Sequence, residues 1–315
     1  MKPLIVLAGP TAVGKTDLSL DLAKTIGGEI MSADSMQVYR GMDIGTAKAT
    51  PQERRMVPHH LIDIREPSEE FHVVDFQREA KAAMEGIWSR GHVPILTGGT
   101  GFYIQAVTRD IDFTETSSRP DFREELEREA REEGPERLYE RLRLADPAAA
   151  EEIHPHNIKR IIRALEYYEE SGERISEHNR QEKERTSPYN LLYLVLTRER
   201  PELYRRIDLR VDAMMEAGLL EEVRALREKG YGRELTSMQG LGYKELIAFL
   251  EGECTLEEAV YIIKRDTRHF AKRQITWFKR EKDAVWLPRE EYPGEQELLG
   301  KVLQLIEEKQ IGTEK

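Results

Sequence analysis

Residues 9–16 read Gly9-Pro10-Thr11-Ala12-Val13-Gly14-Lys15-Thr16, the pattern G-x-x-x-x-G-K-[ST]. These residue types suit one task, the holding of linked phosphates. Glycines let backbone N–H groups turn inward toward an anion, and a following helix adds the partial positive charge of its N-terminus. Lys15 supplies a full charge, and Thr16 a hydroxyl for a magnesium ion. The pattern points to a polyphosphate or pyrophosphate and is silent on whose it is. Two further stretches hold chemistry-bearing residues at the ends of apolar runs. Asp34 closes Glu29-Ile30-Met31-Ser32-Ala33, and Gly98-Gly99-Thr100-Gly101 follows Val93-Pro94-Ile95-Leu96-Thr97.

The flanks supply what such a loop needs. Leu4-Ile5-Val6-Leu7-Ala8 reads as a buried strand, and Leu18, Leu22 and Ile26 share one helical face that Gly27-Gly28 closes. Residues 29–34 read as a second strand and His60-Leu61-Ile62-Asp63-Ile64 as a short third. Phe71 to Arg90 is helical by spacing, and 93–97 is another strand. Strands alternating with helices predict an α/β fold, a parallel sheet with helices on both faces. Ligands of such sheets sit beyond the carboxyl ends of the strands, so 9–16, Asp34 and 98–101 are expected to line one site. Residues 35–48 are polar, glycine-punctuated and without a period, a loop long enough to carry function.

From Thr114 to about Pro188 the chain is charged and helical, with breaks at Gly134-Pro135, Asp146-Pro147 and His154-Pro155. His156 to Glu170 is a helix with Ile161, Ile162, Leu165 and Tyr168 on its apolar side. This predicts an inserted helical subdomain over 114–189 within a core made of 1–113 and 190–315. Leu191 to Leu196 returns as a strand, and helices are expected from there to the end. One of them starts at the capping box Thr255-Leu256-Glu257-Glu258 and runs to about Glu281.

Of the 315 residues, 39% are hydrophobic and 34% charged, the balance of a soluble, core-forming chain. The one cysteine, Cys254, precludes an intrachain disulfide and suits a reducing cytoplasm. No apolar run reaches the roughly 18 residues of a membrane span. The first apolar segment runs straight into the phosphate loop and reads as a strand, not a signal peptide. The net charge of −11 argues weakly against nucleic acid. Basic residues nevertheless cluster at Lys159, Arg160 and Arg163, at Arg198, Arg200, Arg205, Arg206 and Arg210, and from Lys264 to Lys282. Any one run is commonly a solvated face; three of them point toward a polyanionic partner.

Three function classes compete. A nucleoside-triphosphate kinase or ATPase usually carries an apolar strand ending in Asp for magnesium; here Leu61-Ile62-Asp63 is short and Val93-Pro94-Ile95-Leu96-Thr97 ends without an acid. A group transferase would use the loop for a pyrophosphate leaving group. A nucleic-acid-binding module with a vestigial loop is disfavoured by the intact Lys15 and Thr16.

The combination of motifs decides among them. The phosphate loop, Ser32-Ala33-Asp34-Ser35-Met36-Gln37-Val38-Tyr39, Gly41-Met42-Asp43-Ile44-Gly45-Thr46-Ala47-Lys48, Pro58-His59-His60-Leu61-Ile62-Asp63, Gly98-Gly99-Thr100-Gly101-Phe102-Tyr103 and Ala271-Lys272-Arg273-Gln274-Ile275-Thr276-Trp277-Phe278 closely resemble the bacterial tRNA dimethylallyltransferases, or tRNA isopentenyltransferases. The resemblance runs from the first strand to about Leu287. It implies a P-loop nucleoside-triphosphatase-like core with a helical insertion. It also implies transfer of a dimethylallyl group from dimethylallyl diphosphate to N6 of adenosine 37 in the tRNA anticodon stem-loop, with release of pyrophosphate and a need for Mg2+. By matched position, Asp34 looks like the general base, Thr100 a hydrogen-bond partner at the reacting amine, Lys15 a catalytic cation and Arg210 a pyrophosphate contact. Asp34, Ser35, Met36 and Gln37, Thr100, Arg123, the run Lys159-Arg160-Ile161-Ile162-Arg163 and the run Gln239-Gly240-Leu241-Gly242-Tyr243-Lys244 look like tRNA contacts. The implied protein is a cytoplasmic monomer without membrane attachment. Related adenylate isopentenyltransferases act on free nucleotide; the insertion and the basic C-terminal helix favour tRNA.

Overall fold

A computed structural model of the chain describes residues 1–113 and 120–312. Its elements in chain order are β1 (Pro3–Ala8), α1 (Lys15–Ile26), β2 (Gly28–Ala33), α2 (Pro51–Met56), β3 (His59–His60), α3 (Val73–Ser89), β4 (Val93–Gly98) and α4 (Gly101–Thr108). Then follow α5 (Pro120–Glu132), α6 (Pro135–Ala145), α7 (Pro147–Glu152), α8 (Ile158–Ser171) and α9 (Ile175–Glu184). The chain continues with β5 (Asn190–Thr197), α10 (Arg200–Glu216), α11 (Leu219–Glu228), α12 (Tyr243–Leu250), α13 (Leu256–Phe278), β6 (Val285–Pro288) and α14 (Glu295–Glu308). Two compact units result: Met1–Thr108 with Ser187–Lys315, and Arg109–Thr186.

Among the described residues, six strands form one sheet in the order β3-β2-β4-β1-β5-β6, every pair parallel. Period-two alternation sends Leu4, Val6 and Ala8 of β1 to one face and Ile5 and Leu7 to the other. The first face packs on Phe76, Met84, Ile104 and Ile263 from α3, α4 and α13; the second packs on Leu18, Leu22, Leu203 and Val302 from α1, α10 and α14. A sheet buried on both faces explains why its strands read as unbroken apolar runs. In register, Ala8 and Ala33 both pair with Gly98, so β1, β2 and β4 end level and their following loops leave from one edge.

Two strand expectations need correction. The third strand is not His60 to Ile64 but His59–His60. Leu61 and Asp63 have φ of 64° and 57°, a left-handed conformation that ends pairing and turns the Asp63 carboxylate toward Lys48 and Arg54. The C-terminal stretch is not all helix: Val285–Pro288 adds β6 beside β5. Four residues are too few to carry a periodic signal. The long helix expected to run to Glu281 ends at Phe278.

The helical unit has its own core, with Leu126, Leu138, Leu142, Ile161, Ile162 and Leu165 nearly or wholly buried. Pro135 and Pro147 sit in the first turns of α6 and α7, where their missing N–H groups leave no helical bond unmade. Asp146, 0% exposed, accepts the N–H of Ala149 at 3.0 Å and both the N–H (2.9 Å) and the hydroxyl (2.6 Å) of Ser176, joining α7 to α9. The expected start of the insertion at Thr114 lies outside the described residues. Among the described residues, no helix is long and apolar enough to cross a membrane.

Candidate active site

The phosphate loop is shaped by residues that tolerate its backbone. Gly9 has φ 151°, and a Cβ there would lie 2.6 Å from the carbonyl oxygen of Leu196. Gly14, at φ 105°, begins α1 and has no side chain to cap it. Two arginines, one just after β5 and one on α10, hold the loop: Arg198 Nε donates to Val13 O at 3.2 Å and Arg206 Nε to Ala12 O at 3.1 Å. The carbonyls of Val13 and Ala12 are thereby turned to these arginines. Lys15 folds over the loop and donates to Gly9 O (2.9 Å) and Pro10 O (2.8 Å).

Beside the loop opens a cavity of about 550 Å³, lined by residues 11–16, Asp34, Gln37, Arg206, Arg210 and Gln274 among others. Its electrostatics favour an anion. Burial and the charge of Arg210 push the Lys15 ammonium down to about 7, against the opposing pull of Asp34. Arg210, four residues beyond Arg206 on α10, is likewise shifted down by burial, with Asp34 opposing and Arg206 adding to it. An arginine cannot shed its proton, so two cations face one carboxylate in a poorly solvated place. A bound anion would relieve that imbalance.

The other wall is built where β2 and β4 end. The Thr100 N–H donates to Ala33 O at 3.1 Å, and its hydroxyl accepts the N–H of Ser35 at 3.3 Å, tying the two loops together. Asp34 Oδ1 accepts the N–H groups of Met36 (2.8 Å) and Gln37 (3.4 Å). Asp34 is thereby oriented while still lining the cavity. The loop beyond is held from within. Gln37 accepts from Ser32 Oγ (2.7 Å) and donates to Thr46 O (3.1 Å). The Glu222 carboxylate accepts the N–H groups of Asp43 (2.9 Å), Ile44 (2.8 Å) and Gly45 (3.1 Å). Lys48, buried, donates to Tyr39 O, Asp43 and Asp63, each at 2.7 Å.

The structure therefore brings together Thr11 to Thr16, Asp34, Gln37 and Arg210, with Thr100 tied to the Asp34 turn. Gly9 and Pro10 shape the loop and accept from Lys15. Asp63, the acid a kinase would use, is bound by Lys48 and Arg54. The residues expected to contact RNA differ in exposure. Ile161 (0% exposed) and Ile162 (3%) face the core of the helical unit, because the apolar stripe of α8 must be covered. Tyr243 (1%) is buried too, its hydroxyl donating to Glu222 at 2.6 Å. Gly242 is also buried. Lys159, Arg160 and Gln239 are exposed; Ser35, Met36, Arg163, Gly240, Leu241 and Lys244 are partly so. Arg123 is paired in a fork with Glu166 at 2.8 and 2.9 Å.

Sequence reasoning missed the roles of Arg198, Arg206 and Gln274. The first two were read only as part of a basic cluster; the four-residue spacing of Arg206 and Arg210 places them on one side of α10 and was the available signal. Gln274, buried in α13, accepts the Thr11 N–H at 2.9 Å and donates to Gly99 O at 3.0 Å. For a metal, the described residues contain no group of three or more His, Cys, Asp or Glu. Among the residues lining the cavity, Thr16 would offer a magnesium ion a hydroxyl oxygen, the kind of ligand that ion takes.

The family model described as IPP transferase matches residues 37–281. A tRNA dimethylallyltransferase of Lachnoclostridium phytofermentans is 59% identical over 311 residues, 99% of either chain. One from Alkaliphilus oremlandii is 52% identical, over 90% of this chain and 91% of its own. Among solved structures, the tRNA isopentenylpyrophosphate transferase of Bacillus halodurans superposes with a TM-score of 0.73 at 43% identity, covering 98% of each chain. A eukaryotic dimethylallyltransferase acting on tRNA gives a TM-score of 0.81 at 34% identity, over 91% of this chain and 74% of its own.

Proposed function

The chain belongs to the IPP transferase family, and on that footing we propose that the cavity beside the phosphate loop is where it transfers a dimethylallyl group to tRNA. The donor is dimethylallyl diphosphate and the acceptor N6 of adenosine 37 in the anticodon stem-loop. The amine attacks the allylic carbon as the carbon–oxygen bond to the diphosphate breaks. The bonding electrons leave with pyrophosphate, and the amine proton passes to the Asp34 carboxylate. Adenine N6 is a weak nucleophile because its lone pair is delocalised into the ring, so removal of that proton as the bond forms matters. Thr100, tied to the Asp34 turn, is the hydrogen-bond partner of the amine. Lys15 and Arg210 neutralise charge that grows on the leaving oxygens. Mg2+ carried with the diphosphate, and touched by Thr16, would screen the same charge. The target base must leave its stack to enter such a pocket.

The observation that carries this reading is the convergence of Lys15, Arg210 and Asp34 on one cavity at the carboxyl ends of the strands. The single Cys254 suits a reducing cytoplasm. Incubation with tRNA and dimethylallyl diphosphate, followed by nucleoside mass analysis, should yield a prenylated adenosine. Free adenosine monophosphate should remain unmodified. Lys15→Ala should lower turnover on the order of 10²-fold or more. Robust ATP hydrolysis without prenyl transfer would refute the assignment.

A further inference from the structure

We propose that Gln274 is a positioning residue that sets the phosphate loop against the turn after β4, and thereby the leaving group against the attacking amine. The proposal rests on the cavity being the site of transfer. The two loops come from different strands and share no residue, yet the reaction needs the diphosphate on one and the Asp34–Thr100 turn on the other in fixed relation. The Gln274 side chain joins them. Its Oε1 accepts the N–H of Thr11, within the phosphate loop, at 2.9 Å; its Nε2 donates to the carbonyl of Gly99, next to Thr100, at 3.0 Å. A carboxamide can accept on one side and donate on the other, and Asn lacks the length to span the gap.

Burial and neighbouring glycines make the link specific. Gln274 is 6% exposed and sits on the 23-residue helix α13, so its reach is fixed by a rigid element. Gly99 is bare because α13 lies against it: a methyl group there would fall on the Gln274 amide. One turn along the helix, Trp277 covers Gly101 in the same manner. The turn that carries Thr100 is therefore pressed on both sides by α13. A misplacement of about 1 Å between reacting groups can cost about 10²-fold in rate, and this side chain connects directly the two loops that flank the reacting atoms.

The test uses the full chain with tRNA and dimethylallyl diphosphate, and reads kcat, both KM values and pyrophosphate affinity. Gln274→Met keeps length and neutrality but removes both bonds. It should lose about 10- to 100-fold in kcat, while pyrophosphate affinity stays within about threefold because Lys15 and Arg210 are intact. Gln274→Glu keeps the acceptor toward Thr11 and replaces the donor toward Gly99 with a second acceptor. Its kcat relative to wild type should rise as pH falls, because a protonated carboxyl donates again; a role in bulk packing gives a flat ratio. Wild-type kcat in either variant, a flat ratio, or pyrophosphate affinity falling in step with kcat in Gln274→Met overturns the proposal. If Gln274→Met does not fold, Gly99→Ala, whose methyl displaces the amide, decides by the same kcat criterion. Wild type and Lys15→Ala run alongside. A wild type that prenylates tRNA with an inert Gln274 sinks this inference alone, and a wild type that does not prenylate sinks the assigned function and this inference with it.

Discussion

The Oδ1 atom of Asp34 accepts the N–H of Met36 at 2.8 Å, a contact that an asparagine would keep. Asp34→Asn therefore removes the base without removing the turn. Turnover should fall about 10²- to 10⁴-fold, with tRNA and pyrophosphate binding nearly unchanged in equilibrium assays. If Asp34 instead held magnesium, pyrophosphate affinity would fall and high magnesium would partly restore it. Lys15 offers a second test at this scale. Burial and Arg210 bring its pKa to about 7, so the free enzyme carries the ammonium below that pH and loses it above. A bound diphosphate favours the charged form, so binding at pH 8 should draw in a proton. Calorimetry in buffers of different ionisation heats should show about one more proton taken up by wild type than by Lys15→Arg, whose cation never titrates. Equal uptake in the two proteins would remove Lys15 from the diphosphate site.

Elements here are fastened by single polar residues at their ends. The Glu222 carboxylate on α11 gathers three successive N–H groups of the loop at 43–45. At the opposite end of β2, Glu29 is 2% exposed and binds Arg90 (2.8 Å), His60 (2.6 Å) and His92 (2.7 Å), joining β2 to β3 and to the α3–β4 connection. The Arg90 fork first, and the two histidines after it, hold the Glu29 carboxyl down at about 2 against the opposing effect of burial. Because the folded-state value lies below the unfolded one, this stabilisation is complete above about pH 4.5 and fades as pH falls toward 2. Glu29→Gln should cost about 2 kcal/mol at neutral pH, read from denaturant unfolding, and the gap to wild type should close between pH 4.5 and 2. A gap that persists at pH 2 would assign the loss to packing.

Over the whole molecule, a net charge of −11 coexists with local cationic faces. Lys159 and Arg160 are exposed on α8, and Arg163 is partly so. Each cation that meets a phosphate releases condensed counterions, so tRNA affinity should fall steeply with salt. Reversing Lys159, Arg160 and Arg163 to Glu should weaken tRNA binding and flatten the salt slope. Pyrophosphate binding should not change, because these residues lie in the helical unit and the cavity is lined by residues of the sheet-bearing unit. Unchanged tRNA affinity would mark the patch as a solvated face.

The sequence alone determined what depends on local order. Gly9 to Thr16 between an apolar strand and an amphipathic helix determined the phosphate loop, and β1, β2, β4 and β5 were legible because strands buried on both faces are made mostly of apolar residues. The breaks at Gly134-Pro135 and Asp146-Pro147 were legible from local chemistry, and each falls where a new helix begins with its proline in the first turn. Only the tertiary structure decided what depends on distant partners. It added β6 beside β5, ended the third strand at His60, and turned Ile161, Ile162 and Tyr243 inward. It also set Gln274 against Thr11, 263 residues away in sequence, and against Gly99, 175 away. No window along the chain contains such a pair. The link exists because α13 packs where β1 and β4 end, and that packing follows from burial of the whole sheet.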